Sequence, residues 1–217
     1  MREYYESYWL KDGGSPAEDH YELSERSKRL QLTLHSLPSG SLVLDAGCGH
    51  GEFSELIDSL GYRTVGVDIS FAATSRAQQR CRAGFVTASL EAGLPLPDNT
   101  FQALWCTEVL EHVFEVHQVL AEFNRVLVDN GLVILTTPYH GMAKNLAITL
   151  VGFERHYNPY LSHIRFFTRK SLNDVFTRAG FDPISWGGIG RRFPFWMSHF
   201  VVAKKVRAPS PKPEIIG

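Results

Sequence analysis

Along the middle of the chain, short apolar runs alternate with segments in which apolar residues recur every three to four positions. Short runs rich in Val, Leu and Ile predict buried strands over residues 41–44, 63–67, 84–87, 103–106 and 132–136. Segments with apolar residues every three to four positions predict helices over residues 52–60, 71–82, 116–127 and 170–179. Strands that alternate with helices are typical of βαβ units, so we expect an α/β fold with a mostly parallel sheet covered by helices on both faces.

The two ends of the chain differ from this middle part. Residues 1–37 begin with several aromatic residues and continue as a helical pattern, which predicts an N-terminal helical accessory segment. Near the other end, residues 182–186 and 199–204 predict two further strands in an antiparallel hairpin at a sheet edge. We interpret residues 1–217 as a single domain with a core over 40–205 and a Pro-rich, extended tail over 206–217.

Composition and charge narrow the class of protein. The chain is 44% hydrophobic and 21% charged and has no apolar stretch long enough to span a membrane. Its formal net charge of -1 lacks the basic excess that non-specific nucleic-acid binding needs, so a nucleic-acid partner is not favoured. The N-terminus does not resemble a secretory signal, and Cys48, Cys81 and Cys106 lie too far apart for a disulfide framework or a zinc knuckle. We therefore expect a soluble, cytoplasmic protein with reduced thiols.

A glycine-rich turn follows the first predicted strand in Leu42-Val-Leu-Asp-Ala-Gly-Cys-Gly-His-Gly. Gly47, Gly49 and Gly51 allow the backbone to pass close to a ligand, and the helix that begins next offers free N–H groups. The next strand ends at Asp68, about twenty positions after the turn, where a carboxylate can accept hydrogen bonds from both hydroxyls of a ribose. The two features together predict a nucleoside-binding site, although the glycine spacing differs from that of dinucleotide-binding folds.

Five motifs in order identify a resemblance to a known family. They are Val43-Leu-Asp-Ala-Gly-Cys-Gly-His-Gly, Gly66-Val-Asp-Ile-Ser, Leu94-Pro-Leu-Pro-Asp-Asn-Thr-Phe, Val109-Leu-Glu-His-Val and Arg125-Val-Leu-Val-Asp-Asn-Gly-Leu. Over residues 40–205 the chain resembles the class I S-adenosylmethionine-dependent methyltransferases, including the ubiquinone-pathway O-methyltransferases. The resemblance implies a Rossmann-like, seven-stranded sheet with an antiparallel last strand, and S-adenosylmethionine as cofactor.

The same resemblance implies which residues hold the cofactor. Asp45, Gly47, Cys48 and Gly49 are expected around its methionine part, and Asp68 is expected on its ribose hydroxyls.

The adenine end is expected to rest on Ile69. Ser89 replaces the aspartate that family members commonly place near the adenine amino group, and the backbone N–H of Leu90 is expected to meet an adenine nitrogen. Cys106 is expected beside the methyl group, with a role as a small buried apolar residue as the alternative.

Candidates for catalysis follow the fourth predicted strand. Glu108, Glu111 and His112 have helical spacing that would place them on one face, and His163 follows later in the chain. This set resembles the metal sites of the ubiquinone-pathway enzymes and of small-RNA 2′-hydroxyl methyltransferases. We favour the interpretation without a metal, with Glu108 and His112 acting on the acceptor and His140 as a third catalytic candidate, because a histidine can take a proton near neutral pH.

The acceptor side is predicted from an insertion over residues 142–161, which is rich in apolar and aromatic residues. We interpret it as a lid over the acceptor pocket, with residues 191–196 and the N-terminal tyrosines as further walls. A packing helix or a homodimer contact is the alternative. Tyr139 is a further pocket candidate, and four arginines can clamp an anionic group: Arg155, Arg165, Arg191 and Arg192.

Three functions are consistent with these residues. The leading hypothesis is an S-adenosylmethionine-dependent methyltransferase that methylates an oxygen of a small, aromatic or hydrophobic acceptor. One alternative is an RNA 2′-hydroxyl methyltransferase that holds a metal on Glu108, Glu111, His112 and His163, and the other is a non-catalytic, cofactor-binding partner module.

Overall fold

The computed structural model describes residues 2–11, 20–157 and 162–210, apart from the side chains of Lys11, His20 and Arg155. The strands are β1 (Leu42–Ala46), β2 (Arg63–Asp68), β3 (Gly84–Thr87), β4 (Phe101–Thr107), β5 (Leu127–Pro138), β6 (Phe181–Ile189) and β7 (Ser198–Lys205). The helices are α1 (Arg2–Lys11), α2 (His20–Leu34), α3 (Glu52–Ser59), α4 (Phe71–Arg80), α5 (Val116–Val126), α6 (Met142–Val151), α7 (Phe153–His156) and α8 (Arg169–Arg178). Every strand and helix predicted from the periodicity is present.

The strands form one sheet of seven in the order β3-β2-β1-β4-β5-β7-β6. The first five pair in parallel, whereas β7 runs antiparallel to both β5 and β6. The predicted Rossmann-like fold with an antiparallel last strand is confirmed. Because the strand order reverses between β1 and β4, the carboxyl ends of β1, β2 and β4 surround a crevice, which is where ligands bind in open α/β sheets.

Side chains alternate between the two faces of the central strands and fill a separate core on each face. On β4, Leu104 packs on the α5 and α8 side with Phe123 and Phe176, and all three are fully buried. The next residue, Trp105, points to the opposite face and packs against Phe53 of α3 at 4.9 Å between ring centroids. This alternation has the period of two expected of a strand that is covered on both faces.

Helix α2 contributes to the core rather than lying at its margin. Leu30 and Leu34 have no exposed surface, and the carbonyl of Leu34 accepts a hydrogen bond from the Tyr62 hydroxyl at 2.6 Å. Burial of each of these leucine side chains contributes roughly 2 kcal/mol to the free energy of folding. The segment predicted as accessory therefore supplies structural residues at α2.

The start of one predicted strand changes in the structure. Strand β5 begins at Leu127, five positions before the predicted start, because Leu127 pairs with Phe101 ahead of a register shift in the β4–β5 ladder. The exposed Asn130 lies within that stretch and has a φ of 63°. Asparagine at a positive φ is typical of turns, so its presence in a strand is not expected from the sequence. Parts of the predicted N-terminal segment (12–19), insertion (158–161) and tail (211–217) lie outside the described residues. No helix in the described part of the chain has the length and apolar character needed to cross a membrane.

Candidate active site

A cavity of about 460 Å³ opens at the carboxyl ends of β1, β2 and β4. Its base is formed by residues that the sequence assigned to the cofactor: Gly47, Cys48, Gly49, Asp68, Ile69, Ser89 and Leu90. The volume lies in the range of small-molecule sites. The structure therefore brings together the glycine turn and the acidic residue that ends β2.

The glycine turn is held to β2 by its backbone. The N–H groups of Gly47 and Cys48 both donate to the carbonyl of Val67, at 2.7 and 3.0 Å. Gly47 has a φ of 81°, and a Cβ atom there would overlap the side chain of Val109. Glycine is needed at this position for both the conformation and the space.

Asp68 joins the turn to the following helix. Its Oδ2 accepts from the backbone N–H of Gly49 at 3.0 Å, and its Oδ1 accepts from the N–H of Ser70 at 2.9 Å. Burial raises the pKa of this carboxyl, and the backbone hydrogen bonds oppose that rise. Since each carboxylate oxygen has two acceptor positions, both oxygens can still accept from a ribose hydroxyl.

Asp45 and Cys106, which the sequence also assigned to the cofactor, do not line the cavity. Asp45 is buried beneath the turn, where it accepts a 2.6 Å hydrogen bond from Ser54, and burial raises its pKa to about 7. Cys106 is fully buried in the core on the α5 side, because the alternation along β4 directs it there with Leu104. The placement of these two residues at the cofactor is corrected: Asp45 supports the turn, and Cys106 is a core residue.

Helix α1 covers the cavity. Tyr4, Tyr5, Tyr8 and Trp9 all line it, and the Trp9 ring packs on His50 at 4.2 Å between centroids. A Cβ atom on Gly49 would lie 2.8 Å from the Trp9 ring. This aromatic face therefore lies directly over the glycine turn.

A single acidic residue attaches α1 to the α/β core. The Glu6 carboxylate accepts from the Ser70 hydroxyl at 2.8 Å and from the backbone N–H groups of Phe71 and Ala72 at 2.9 and 3.1 Å. These N–H groups lie at the start of α4, where a helix has unpaired donors and a positive dipole end.

The cover differs from the predicted one. No described residue of the insertion, over 142–157, lines the cavity, although Ser162 and His163 directly after it do. Helices α6 and α7 of the insertion contain no buried residue among those described. Among the described residues, the cover is therefore provided by the tyrosines of α1, which were predicted as further walls, and not by residues 142–157 of the predicted lid.

The segment after β4 is not the predicted α-helix. Glu108 has a φ of 50°, and a single 3₁₀ turn, Leu110–His112, follows it. Oε1 of Glu108 lies 3.3 Å from Arg26 and accepts from the Thr136 hydroxyl at 2.8 Å, so Glu108 does not join the group formed by Glu111 and His112. Glu108 still lines the cavity, but the expected shared face of the three residues is not present.

Glu111, His112 and His163 do converge. One candidate ligand atom from each lies within 4.8 Å of the others. The backbone explains why, since the N–H groups of Ile164 and Arg165 both donate to the carbonyl of Glu111 at 3.0 Å and hold the His163 segment against the 3₁₀ turn. The His112 and His163 rings are 4.8 Å apart between centroids.

A hydrogen bond to the backbone determines which ring nitrogen of His112 carries the proton. Its Nδ1 lies 3.0 Å from the carbonyl of Ser162, which can only accept, so Nδ1 donates and Nε2 carries the lone pair of the neutral ring. Oε1 of the fully buried Glu111 lies 3.7 Å from that Nε2 and has no hydrogen-bond partner among the described residues, while its Oε2 accepts from Thr137 at 3.1 Å.

Burial sets the charge states of this group. It lowers the pKa of His112, lowers that of His163 to about 4, and raises that of Glu111 well above its ordinary value. Near neutral pH the two imidazoles are therefore uncharged. An uncharged imidazole can accept a proton or bind a metal ion through its free nitrogen.

His140 and Tyr139 are packing residues instead of pocket residues. His140 is buried outside the cavity, with Nδ1 3.3 Å from Oδ1 of Asn145 and its ring against Phe166, and burial lowers its pKa to about 4. Tyr139 packs against Trp196 and His199. The catalytic assignment of His140 is corrected, because the end of β5 directs it under α6.

Three of the four arginines predicted as a clamp have described side chains, and none of the three lines the cavity. Arg165 donates to the carbonyls of Val113 and Phe114, and Arg191 and Arg192 are exposed. The side chain of Arg155 lies outside the described residues.

Arg26 of α2, which sequence reasoning missed, lines the cavity instead. Its position four residues before Leu30, on the stripe that packs against the sheet, is the signal that could have found it.

Comparisons with known proteins agree with this geometry. A sequence family described as a methyltransferase domain matches residues 18–185. A probable S-adenosylmethionine-dependent methyltransferase of Mycolicibacterium smegmatis is 28% identical, over 76% of this chain and 61% of that protein. A malonyl-[acyl-carrier protein] O-methyltransferase of Hamiltonella defensa is 34% identical, over 56% of this chain and 48% of that protein. The chain thus spans about half to three fifths of the length of these relatives.

Among solved structures, a magnesium protoporphyrin IX methyltransferase from Synechocystis with bound S-adenosylhomocysteine superposes with a TM-score of 0.74. The alignment covers 94% of this chain and the whole of that chain, at 19% sequence identity. At this identity the likeness describes the fold.

Proposed function

The chain belongs to the class I S-adenosylmethionine-dependent methyltransferase family, and on this premise we propose that it transfers the methyl group of S-adenosylmethionine to an oxygen atom of a small-molecule acceptor. One observation carries the proposal. One cavity beneath α1 is lined both by Asp68, whose carboxylate suits the hydroxyls of a ribose, and by His112, whose Nε2 lone pair suits a proton acceptor.

The glycine turn and β2 fit the cofactor. Gly47 and Gly49 have positive φ angles and no side chains of their own, so the turn presents its backbone toward the cavity beneath α1. In a bound cofactor, Asp68 would hold the ribose hydroxyls, Ile69 would pack against the adenine, and Ser89 and Leu90, which line the same cavity, would hold the adenine edge. When bound, the cofactor supplies a methyl group made electrophilic by its sulfonium.

The chain contributes mainly by position and by excluding water. Methyl transfer is an in-line displacement, so rate depends on holding the acceptor oxygen at attack distance from the methyl carbon. The aromatic face of α1 keeps water from this space. With the cofactor bound, its sulfonium would lose the methyl group to the acceptor oxygen and leave as the neutral thioether. Nε2 of His112 would take the hydroxyl proton, while its Nδ1–H stays bonded to the carbonyl of Ser162.

The lining favours an acceptor with an aromatic ring and a hydroxyl group. Tyr4, Tyr5 and Tyr8 offer ring faces and edges for stacking. Tyr5 also packs edge-on against His112 at 5.9 Å between centroids, so an acceptor stacked on α1 has its polar group near Nε2. The O-methyltransferase name of the relative from Hamiltonella defensa supports oxygen as the methylated atom.

An RNA acceptor is less well supported. The cavity is lined by the carboxyl-bearing residues Glu22, Glu52, Glu91, Glu108 and Glu111, and Arg26 is the one basic residue that lines it among those described. A surface that binds the phosphate backbone of RNA needs more basic than acidic side chains. The non-catalytic alternative is also disfavoured, because the glycine turn, Asp68 and the pair His112 and His163 all lie at one cavity.

Glu111, His112 and His163 fit a divalent metal ion in the manner that the resemblance implies. Two neutral imidazoles and one carboxyl are a common ligand set for transition metals, and the unpartnered Oε1 of the buried Glu111 points into it. Glu108 is not part of this set, since it lies against Arg26. A bound ion would lower the pKa of an acceptor hydroxyl. A metal role is a second candidate for this group of residues.

Methyl transfer from isotopically labelled S-adenosylmethionine to a panel of phenols, catechols, carboxylic acids and RNA tests the proposal. We expect label on oxygen of a ring-bearing small molecule. Reactions with chelator and with added Mg²⁺, Mn²⁺ or Zn²⁺ separate the two roles of the histidine pair. Label on RNA alone, or on no acceptor while the cofactor still binds, would contradict the proposal.

A further inference from the structure

Helix α6 presents its apolar side to solvent. Met142, Leu146 and Leu150, spaced four residues apart and therefore on one stripe, are 88%, 60% and 73% exposed. The stripe continues in Val151 and Phe153, which are 87% and 54% exposed. A helix on the surface of a globular protein normally has the opposite orientation, with its apolar stripe toward the core.

Polar contacts on the other side hold α6 in this orientation. Lys144 Nζ donates to the carbonyl of Met197 at 3.3 Å, and Asn145 Nδ2 donates to the carbonyl of His140 at 3.3 Å. Lys144 and Asn145 are half-buried, whereas the apolar stripe lies outside. The hydrogen bonds of Lys144 and Asn145 thus orient α6 so that its apolar side faces solvent.

A basic and aromatic loop lies beside α6. Phe193 and Phe195 are 69% and 45% exposed, and the preceding Arg191 and Arg192 are exposed as well. The loop is joined to the helix through Lys144, which reaches Met197 and lies over the Tyr139 ring, and through Trp196, which packs on Tyr139 at 5.5 Å. We call the outward faces of α6, α7 and this loop the α6 surface.

The charges of the α6 surface point to its partner. Among the described, exposed side chains of residues 142–157 and 191–197, Arg191 and Arg192 are basic and Glu154 is acidic. A second copy packed symmetrically would bring this basic rim against an equally basic rim. An anionic bilayer instead accepts the apolar stripe at its acyl boundary and the arginines at its phosphates. We propose that the α6 surface docks on an anionic membrane surface.

Co-sedimentation of the full chain with vesicles tests this docking. One set of vesicles contains phosphatidylcholine alone, and the other contains phosphatidylcholine with about one third phosphatidylglycerol. We expect most of the protein to sediment with the anionic vesicles and little with the neutral ones. The double variants Leu146→Glu with Leu150→Glu and Arg191→Ala with Arg192→Ala should each reduce the bound fraction at least fivefold.

Matched controls change exposed residues of the same types elsewhere. Leu32→Glu removes an apolar side chain that is 64% exposed on α2, and Arg63→Ala with Arg82→Ala removes two exposed arginines. Both should sediment like the parent chain, and all variants should keep its melting temperature because their side chains make no buried contact. Absence of binding to both vesicle types, or equal binding by all variants, would overturn the proposal. So would a dimer in light scattering that Leu146→Glu with Leu150→Glu dissociates while vesicles capture nothing.

Discussion

The backbone N–H of Gly49 donates to Oδ2 of Asp68 at 3.0 Å, across a gap of 19 residues in the sequence. This hydrogen bond fixes the glycine turn after β1 against the end of β2. The carboxylate proposed to bind ribose is thus also the group that sets the shape of the turn beneath the cofactor. Cofactor affinity and the local structure of the site therefore depend on the same side chain.

Substitution Asp68→Asn is expected to weaken S-adenosylmethionine binding about 10- to 100-fold, since a hydrogen bond to a charged group contributes roughly 1.5–3 kcal/mol. Asp174→Asn is the matched control, because Asp174 is 59% exposed on α8 and distant from the cavity. Fluorescence titration of the parent and both variants measures the effect. An unchanged affinity for Asp68→Asn in a folded protein would remove this residue from the cofactor site.

Glu6→Gln is expected to loosen α1, because it removes the charge that three donors at the start of α4 share. We predict about tenfold faster release of cofactor, the equivalent of about 1.4 kcal/mol, together with faster cleavage near the N-terminus by a protease. Glu3→Gln changes an exposed carboxylate of the same helix and should have no effect. Stopped-flow dissociation rates that match for all three proteins would show that α1 does not retain the cofactor.

His112→Ala is expected to lower kcat about 100-fold, the lower limit for the loss of a general base. Cofactor affinity should change little, because the nucleoside end of the cavity is formed by other residues. His35→Ala, an exposed histidine after α2, is the control. If His112→Ala reduced cofactor binding and turnover in equal measure, His112 would be a structural residue of the cavity.

We expect the free energy of unfolding to change with pH because Asp45 binds its proton more tightly in the folded state. Its pKa in the folded protein is raised from 3.8 to about 7, because burial disfavours the charged form. The folded state thus binds the proton more tightly than the unfolded state, and this stabilisation is complete below pH 4 and lost as the pH rises through about 7.

The substitution Asp45→Asn keeps an oxygen that can accept the hydrogen bond from the Ser54 hydroxyl, but it removes the group that gains or loses a proton. Between pH 4 and 8 the unfolding free energy of the parent should therefore fall relative to that of the variant by a few kcal/mol, at about 1.4 kcal/mol for each unit of pKa shift. Asp58→Asn, at an exposed carboxylate on α3, should run parallel to the parent. Urea denaturation at a series of pH values measures the difference, and parallel curves for Asp45→Asn would contradict the raised pKa.

Much of the fold and the cofactor end of the cavity can be predicted from the sequence, because both depend on local patterns. Buried strands show as apolar runs, and the glycine turn requires residues without side chains near Val109. Asp68 can be identified because its place at the end of β2 follows from the same run.

The rest of the cavity is predicted only in part. The sequence indicates Glu111, His112 and His163, which do line the cavity, but the arrangement of its other lining residues depends on long-range contacts. Helical spacing placed Glu108 with Glu111, but a φ of 50° at Glu108 breaks that spacing and turns it toward Arg26 on α2. The aromatic residues of α1 cover the site only because Glu6 meets α4, more than 60 residues later in the chain. The apolar insertion was interpreted as a lid because an apolar pattern cannot indicate whether it faces a cavity or solvent.

Titration calorimetry of the purified protein with S-adenosylmethionine and S-adenosylhomocysteine tests the central claim most directly. We predict one site with micromolar affinity for both ligands, and the same affinity with chelator present, since the nucleoside end contains no proposed metal ligand. Absence of binding at ligand concentrations near 1 mM, which corresponds to a binding free energy of about -4 kcal/mol, would contradict the assignment of this cavity to the cofactor.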